Sequence, residues 1–198
     1  MLLAGNPKYK IILASNSPRR KELLSGLGIE YTVKIIPDID ESFPETLKGE
    51  EIPLYIARKK ADAYKPVIRP DELVITADTI VRLDGETIGK PADEADAIRM
   101  LQKLSGKTHQ VITGVCLTTT DWQRSFSTLT EVTFAILTRE EIEYYVKNFH
   151  PFDKAGSYGV QEWIGFIGIE SLSGSYYNVM GLPIQRLYRE LKRVESWI

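Results

Sequence analysis

The sequence predicts an α/β protein built around a mixed sheet, and three observations carry that prediction. Short β-branched, apolar runs alternate with segments of helical periodicity along the whole chain. Glycine, proline and aspartate punctuate the joins between them. Composition is that of an ordinary folded protein, with 43% hydrophobic and 26% charged residues over 198 positions and no internal repeat. A chain of that length is expected to form a single domain, residues 1–198, with two closely apposed lobes as the other possibility.

The elements follow in order. Ile11 to Ser15 reads as a strand, and Ser17 and Pro18 suit the N-cap and first turn of a helix that carries Leu23, Leu24 and Leu27 and stops at Gly28. Tyr31 to Ile36 predicts a second strand, followed by an acidic loop bounded by Pro37 and Pro44. A helix is expected from about Glu51 to Lys65. Leu73 to Ala77 is an unbroken apolar run that predicts a buried central strand ending at Asp78. Asp84-Gly85 marks a hairpin between Val81-Arg82-Leu83 and Thr87-Ile88. Asp93 to Leu104 predicts a helix, then Thr108 to Thr119 and Arg124 to Leu137 predict long strands on either side of a turn near Asp121. Thr138 and Glu141 form a capping box for a helix running to about Asn148. The glycine-rich stretch from Pro151 to Leu182 reads as loop and short strand, and Pro183 to about Val194 as a closing helix.

Several classes of function are disfavoured by composition. Twenty-five basic against 27 acidic side chains leave a formal charge of -2, so no strong field draws the protein to nucleic acid or anionic lipid. No basic stripe with interleaved aromatics appears. Cys116 has no cysteine partner within the chain and sits in a strand-like run, which fits a reducing compartment. The apolar run near the N-terminus is too short for a signal peptide or a membrane span, and the expectation is a soluble, cytoplasmic protein. His109 and His150 are isolated, so neither a zinc site nor a serine hydrolase triad is expected.

Three places, two lysines and a glutamine can carry chemistry. Ser15, Ser17, Arg19 and Arg20 lie where a strand gives way to a helix N-terminus, a setting that binds anions through backbone N–H groups and guanidinium forks. The plain alternative is a capped helix with two solvated arginines. Asp78 and Thr79 follow the most hydrophobic strand, where a carboxylate meets a cleft or else is an ordinary strand exit. The acidic loop with Asp38, Asp40, Glu41 and Glu45 offers oxygen ligands to a hard cation, or is simply solvated. Lys60, along an apolar helix row, and Lys90, between Gly89 and Pro91, are available to phosphate or else snorkel into solvent. Gln161 places an amide in a glycine-rich stretch that a flat ring could approach.

Taken together, these stretches resemble the Maf family: LASNSPRRKELL at 13–24, DES at 40–42, ARKKA at 57–61, ADTIV at 77–81, GKP at 89–91, LSGKTHQVITGV at 104–115, DKAGSYGVQ at 153–161 and NVMGLP at 178–183. The resemblance implies an elongated, curved mixed sheet flanked by helices, with two lobes around a nucleotide cleft. It implies a nucleoside triphosphate pyrophosphatase that uses Mg²⁺ or Mn²⁺ and yields a monophosphate and pyrophosphate. The AGSYGVQ stretch is similar to the branch acting on dTTP and UTP rather than on 7-methyl-GTP. On that resemblance Asp78 is general base and metal ligand, and Glu41 joins the metal site. Arg19, Thr79 and Gln161 are the specificity positions, while Ser15, Ser17, Arg20, Lys60 and Lys90 hold phosphates. Clearance of modified nucleotides and a homodimer also follow from the family. The competing readings are the same chemistry on another base, or a nucleotide-binding regulator of cell division. Asn16 departs from the small residue common between the two serines, and Trp163 to Phe166 follows Gln161 with an effect that the motif does not define.

Overall fold

A computed structural model describes residues 8–195. Its elements run β1 (Lys10–Leu13), α1 (Pro18–Ser25), β2 (Tyr31–Val33), α2 (Glu51–Asp62), β3 (Glu72–Leu83), β4 (Glu86–Ile88) and α3 (Glu94–Leu104). There follow β5 (Thr108–Thr118), β6 (Gln123–Phe134), α4 (Arg139–Phe149), α5 (Trp163–Gly168), β7 (Ile169–Ser173), α6 (Tyr176–Met180) and α7 (Ile184–Glu195). The strands form one mixed sheet in the order β2-β1-β3-β5-β6-β7, with β4 paired to β3. The predicted α/β class is therefore observed. The chain divides into two compact units, and β3, β5 and β6 each contribute residues to both.

Of the described residues, the first unit comprises 8–78, 113–128 and 181–195. Here β1 pairs in parallel with β2 and with β3, placing Ile11 beside Tyr31 and Leu73. Parallel strands need faces covered on both sides, which accounts for the apolar runs at Ile11–Leu13 and Leu73–Ile75, all buried. Small residues let α2 approach closely: Ala57, Ala61 and Cys116 form a fully buried cluster, and a Cβ at Gly114 would fall 2.5 Å from the Pro53 backbone. Thr76, buried among them, donates its hydroxyl hydrogen bond to the Ala57 carbonyl at 2.7 Å. Tyr64 accepts from the Ile36 N–H at 3.0 Å and donates to the Lys34 carbonyl at 2.9 Å, pinning the entrance of the acidic loop. On α7, Leu187 and Leu191 are buried, and so is Glu190. Its carboxylate is met by the Nε of Arg124 at 3.1 Å and of Arg186 at 2.9 Å, and by Nη1 of Arg193 at 3.0 Å.

The second unit comprises 79–112 and 129–180. The predicted hairpin is present, with Val81 opposite Ile88. Asp84 and Gly85 both take positive φ, 51° and 88°, as a two-residue turn of this hand demands. Asp93 caps α3 by accepting from the Asp96 N–H, and Thr138 with Glu141 completes the expected capping box on α4. β7 pairs antiparallel with β6 through a bulge at Thr133/Phe134. His109 is buried with its ring edge-on to Phe134 and Tyr158, and its Nε2 lies 2.7 Å from the Tyr158 hydroxyl.

Four expectations need correction. The central strand does not end at Asp78: β3 continues to Leu83, because Thr79, Ile80 and Val81 are β-branched and the charge on Asp78 is met by a lysine, described below. β2 stops at Val33, since β1 ends at Leu13 and offers no further partners. The stretch 151–182 contains two short α-helices, α5 and α6, after two single-turn 3-10 segments at Pro151–Asp153 and Ala155–Ser157. α5 lacks a polar face for periodicity to report; it forms where Gly165 sits against the Val160 carbonyl, 1.9 Å from where a Cβ would stand. Gly28, expected as the helix stop, takes φ 66° two residues beyond the Gly26 C-cap. No helix of the described residues is long and apolar enough to cross a membrane.

Candidate active site

In the first unit, α1 begins as the sequence predicts. Ser17 caps it, with Pro18 in the first turn, and the Ser17 N–H donates to the buried Ser15 hydroxyl at 3.2 Å. This tight polar turn directs Arg19 and Arg20 into the first turn of the helix. Arg20 donates from Nη1 to the Ala77 carbonyl at 2.9 Å and from Nε to the Gly181 carbonyl at 2.8 Å. It thus braces the backbone immediately before Asp78. Burial holds its pKa below the usual arginine value, opposed by the attraction of Asp78 and Glu41 and reinforced by its neighbour Arg19.

Asp78 is itself buried, at 8% exposure, inside β3. A carboxylate there requires a compensating charge. Lys60 supplies it from the last turn of α2, with Nζ 2.9 Å from Asp78 Oδ1. The same ammonium lies 2.9 Å from Glu41 Oε1. Two carboxylates from segments far apart in sequence thus converge on one cation, with the Arg20 guanidinium beside them. The adjacent Lys59 performs a parallel task, donating to Asp40 Oδ2 at 2.6 Å and to the Ser42 carbonyl at 3.1 Å. Asp40 also accepts from the Ser42 N–H and hydroxyl, and these bonds, Lys59 first, hold its carboxyl far below the ordinary carboxylate range. Consecutive lysines on α2 therefore engage consecutive acids of the loop. The lysine pair in ARKKA was the available signal for Lys59 and Asp40, but it reads equally as a solvated helix end.

Of the predicted site residues, the structure gathers Asp78, Glu41, Lys60 and Arg20, with Ser15, Ser17 and half-buried Arg19 at the start of the same α1. Thr79, next to Asp78 along β3, points to the opposite face, as successive strand residues do. Thr79, Lys90 and Gln161 belong to the second unit. There Lys90 is exposed, and the Gly156 N–H donates to the Gly89 carbonyl at 3.0 Å, which ties the lysine's loop to the segment leading to Gln161. Gly156 has φ 70°, and a Cβ would fall 2.9 Å from Val81 Cγ2, so this approach needs glycine. Gln161 is half-buried, and its Oε1 is shut from solvent with no hydrogen-bond partner among the described residues. Gly181 was missed as the carbonyl acceptor that steadies Arg20; a backbone role leaves no side-chain signal.

A hard divalent cation fits the donor set. Asp78 and Glu41 present oxygens to a single positive centre, the ligand type Mg²⁺ and Mn²⁺ take while sharing their shell with phosphates and water. Among the described residues no three His, Cys, Asp or Glu side chains form a ready-made metal cluster, so such a cation depends on ligands from elsewhere.

A protein from Phocaeicola vulgatus named dTTP/UTP pyrophosphatase is 69% identical over 98% of this chain and all of its own length. One of the same name from Bacteroides fragilis is 66% identical over the same shares. Among solved structures, a HAM1 protein from Coxiella burnetii superposes with a TM-score of 0.51 over 93% of this chain and 99% of its own. At 16% identity that likeness bears on the fold alone. The profile of the Maf-like proteins matches residues 10–194, and with that extent of agreement the chain belongs to the Maf-like family.

Proposed function

We propose that this protein is a metal-dependent nucleoside triphosphate pyrophosphatase that converts dTTP and UTP to the monophosphate and pyrophosphate. The observation that carries the proposal is the convergence of buried Asp78 and exposed Glu41 on Lys60, beside Arg20 and the capped start of α1. The names borne by relatives at 66% and 69% identity support the choice of substrate. A free, buried Cys116 suits a reducing cytoplasm.

In this reading Asp78 orients a water in line with the α phosphorus and takes its proton as the new P–O bond forms. The bond from the α phosphorus to the bridging oxygen breaks, and pyrophosphate leaves with the electron pair. Asp78 and Glu41 would hold the divalent cation, which when bound supplies neutralisation of phosphate charge and eases ionisation of water. Ser15, Ser17, Arg20, Lys60 and Lys90 bind phosphate oxygens, with the helix N-terminus contributing its N–H groups. Arg19, Thr79 and Gln161 select the nucleotide. The orphaned Oε1 of Gln161 matches the N3–H donor of uracil or thymine, a donor that cytosine lacks.

The test is pyrophosphate release from a panel of triphosphates with Mg²⁺ or Mn²⁺. Release is expected to be fastest from dTTP and UTP and weak from CTP. Preference for 7-methyl-GTP would move the chain to another substrate, and no release from any triphosphate would remove the enzymatic reading. Asp78→Asn should lower turnover by about 10² to 10⁴-fold while nucleotide binding persists. Undiminished turnover in that variant would exclude Asp78 as base.

A further inference from the structure

We propose that Glu162, locked from two sides by Tyr145 and Lys154, is a positioning residue that presets Gln161 for base choice, an inference that rests on the role given to Gln161 above. Tyr145 lies on α4, fully buried. Its hydroxyl donates to Glu162 Oε2 and accepts from the Gly159 N–H at 3.0 Å. Lys154 Nζ stands 3.0 Å from Glu162 Oε1 and 2.8 Å from Asp153 Oδ1, its side chain only 9% exposed. Both oxygens of the Glu162 carboxylate are therefore committed, and to groups of fixed direction.

The backbone on either side of Gln161 is fixed as well. A Cβ on Gly159 would fall 2.7 Å from the Glu162 carboxyl carbon, so the carboxylate lies flat against that glycine. The Glu162 N–H donates to the Gly159 carbonyl at 3.0 Å and the Gly165 N–H to the Glu162 carbonyl at 2.8 Å, closing the turn onto α5. Val160 is seated by its carbonyl against Gly165. Only the Gln161 side chain among these neighbours has a buried polar atom without a partner among the described residues.

A buried ion pair of this kind is weak evidence for stability, since apolar residues can fill such a place at least as well; what it adds is direction. Direction matters because an amide is nearly two-fold symmetric. One orientation offers an acceptor to the uracil N3–H and a donor to its carbonyl, and the flipped orientation offers a donor to cytosine N3 and an acceptor to its amino group. A loosely held glutamine would read both bases. Discrimination thus depends on holding residue 161 so that one orientation meets the ring, and the holding comes from Glu162 and its two partners.

The experiment compares kcat/KM for UTP and CTP in the wild type, Tyr145→Phe, Lys154→Met and Lys154→Arg. Inhibition by inorganic triphosphate, which carries no base, is measured alongside. Tyr145→Phe and Lys154→Met are expected to lower the UTP-to-CTP ratio about 10-fold, through a raised KM for UTP with kcat little changed. The triphosphate inhibition constant should stay as it is, and Lys154→Arg should restore most of the ratio. If the variants merely lose stability, both nucleotides slow in proportion and the ratio is preserved, which overturns the inference. Tyr145→Phe removes a single oxygen and keeps the measurement available should Lys154→Met not fold. A wild type that hydrolyses CTP as readily as UTP would overturn the reading of Gln161 itself, whereas a discriminating wild type with equally discriminating variants would overturn only the positioning role.

Discussion

At the scale of single residues, burial decides which ionisable groups are free to do chemistry. His109 is 1% exposed, and its burial lowers the imidazole pKa from 6.5 to about 4. Between those values the unfolded chain binds a proton that the folded chain refuses. Stability should therefore rise with pH through this window and be lost as pH falls below 6.5, by up to about 1.4 kcal/mol per pH unit. Urea melts at pH 7, 6 and 5 should show that decline, and His109→Gln should flatten it; an unchanged slope in the variant would place the acid sensitivity elsewhere. Asp78, 8% exposed, meets burial differently. His109 packs against the Tyr158 hydroxyl, whereas Asp78 is paired with the Lys60 ammonium.

At the scale of elements, caps and close contacts set where helices begin and how near they lie. The capping box at Thr138 anchors the helix that carries Tyr145. Thr138→Ala should cost about 1 kcal/mol of unfolding free energy, and Thr138→Ser should recover much of it. Gly114 makes a sharper prediction: its missing side chain leaves room for the Pro53 backbone at the start of α2. Gly114→Ala must push α2 away, so it should lower the thermal midpoint more than Thr138→Ala. Equal or smaller loss would mean that α2 moves freely, and then Lys59 and Lys60 would not be held in register with Asp40 and Glu41.

At the scale of the whole molecule, a formal charge of -2 leaves phosphate binding to local cations rather than to a general field. Lys60 already contacts both carboxylates proposed for the metal and offsets one of their two charges, so the fold is expected to hold without the ion. A chelator should abolish pyrophosphate release while leaving the thermal midpoint of the nucleotide-free protein unchanged. A midpoint that falls on chelation would show that the lysine does not suffice. Adding UTP with the cation should raise the midpoint, by the linkage that stabilises any state that binds a ligand.

The sequence by itself determined what is encoded within a turn or two of chain: the Ser17 and Thr138 caps, the Asp84-Gly85 hairpin, the buried run before Asp78 and the order of the family's motifs. These depend on local φ/ψ preference and on hydrogen bonds between near neighbours, which a linear reading captures. Asp78 as a candidate was legible for the same reason, although the strand's continuation past it was not. Only the tertiary structure decided that Lys60 serves two acids, that Arg20 braces Ala77 against Gly181, and that Glu162 is clamped by Tyr145 and Lys154. The Arg20 bonds join residues 57 and 161 positions apart. Such pairings follow from which face of each helix packs on the sheet and at what register, and a charged side chain carries no mark of the partner it will meet.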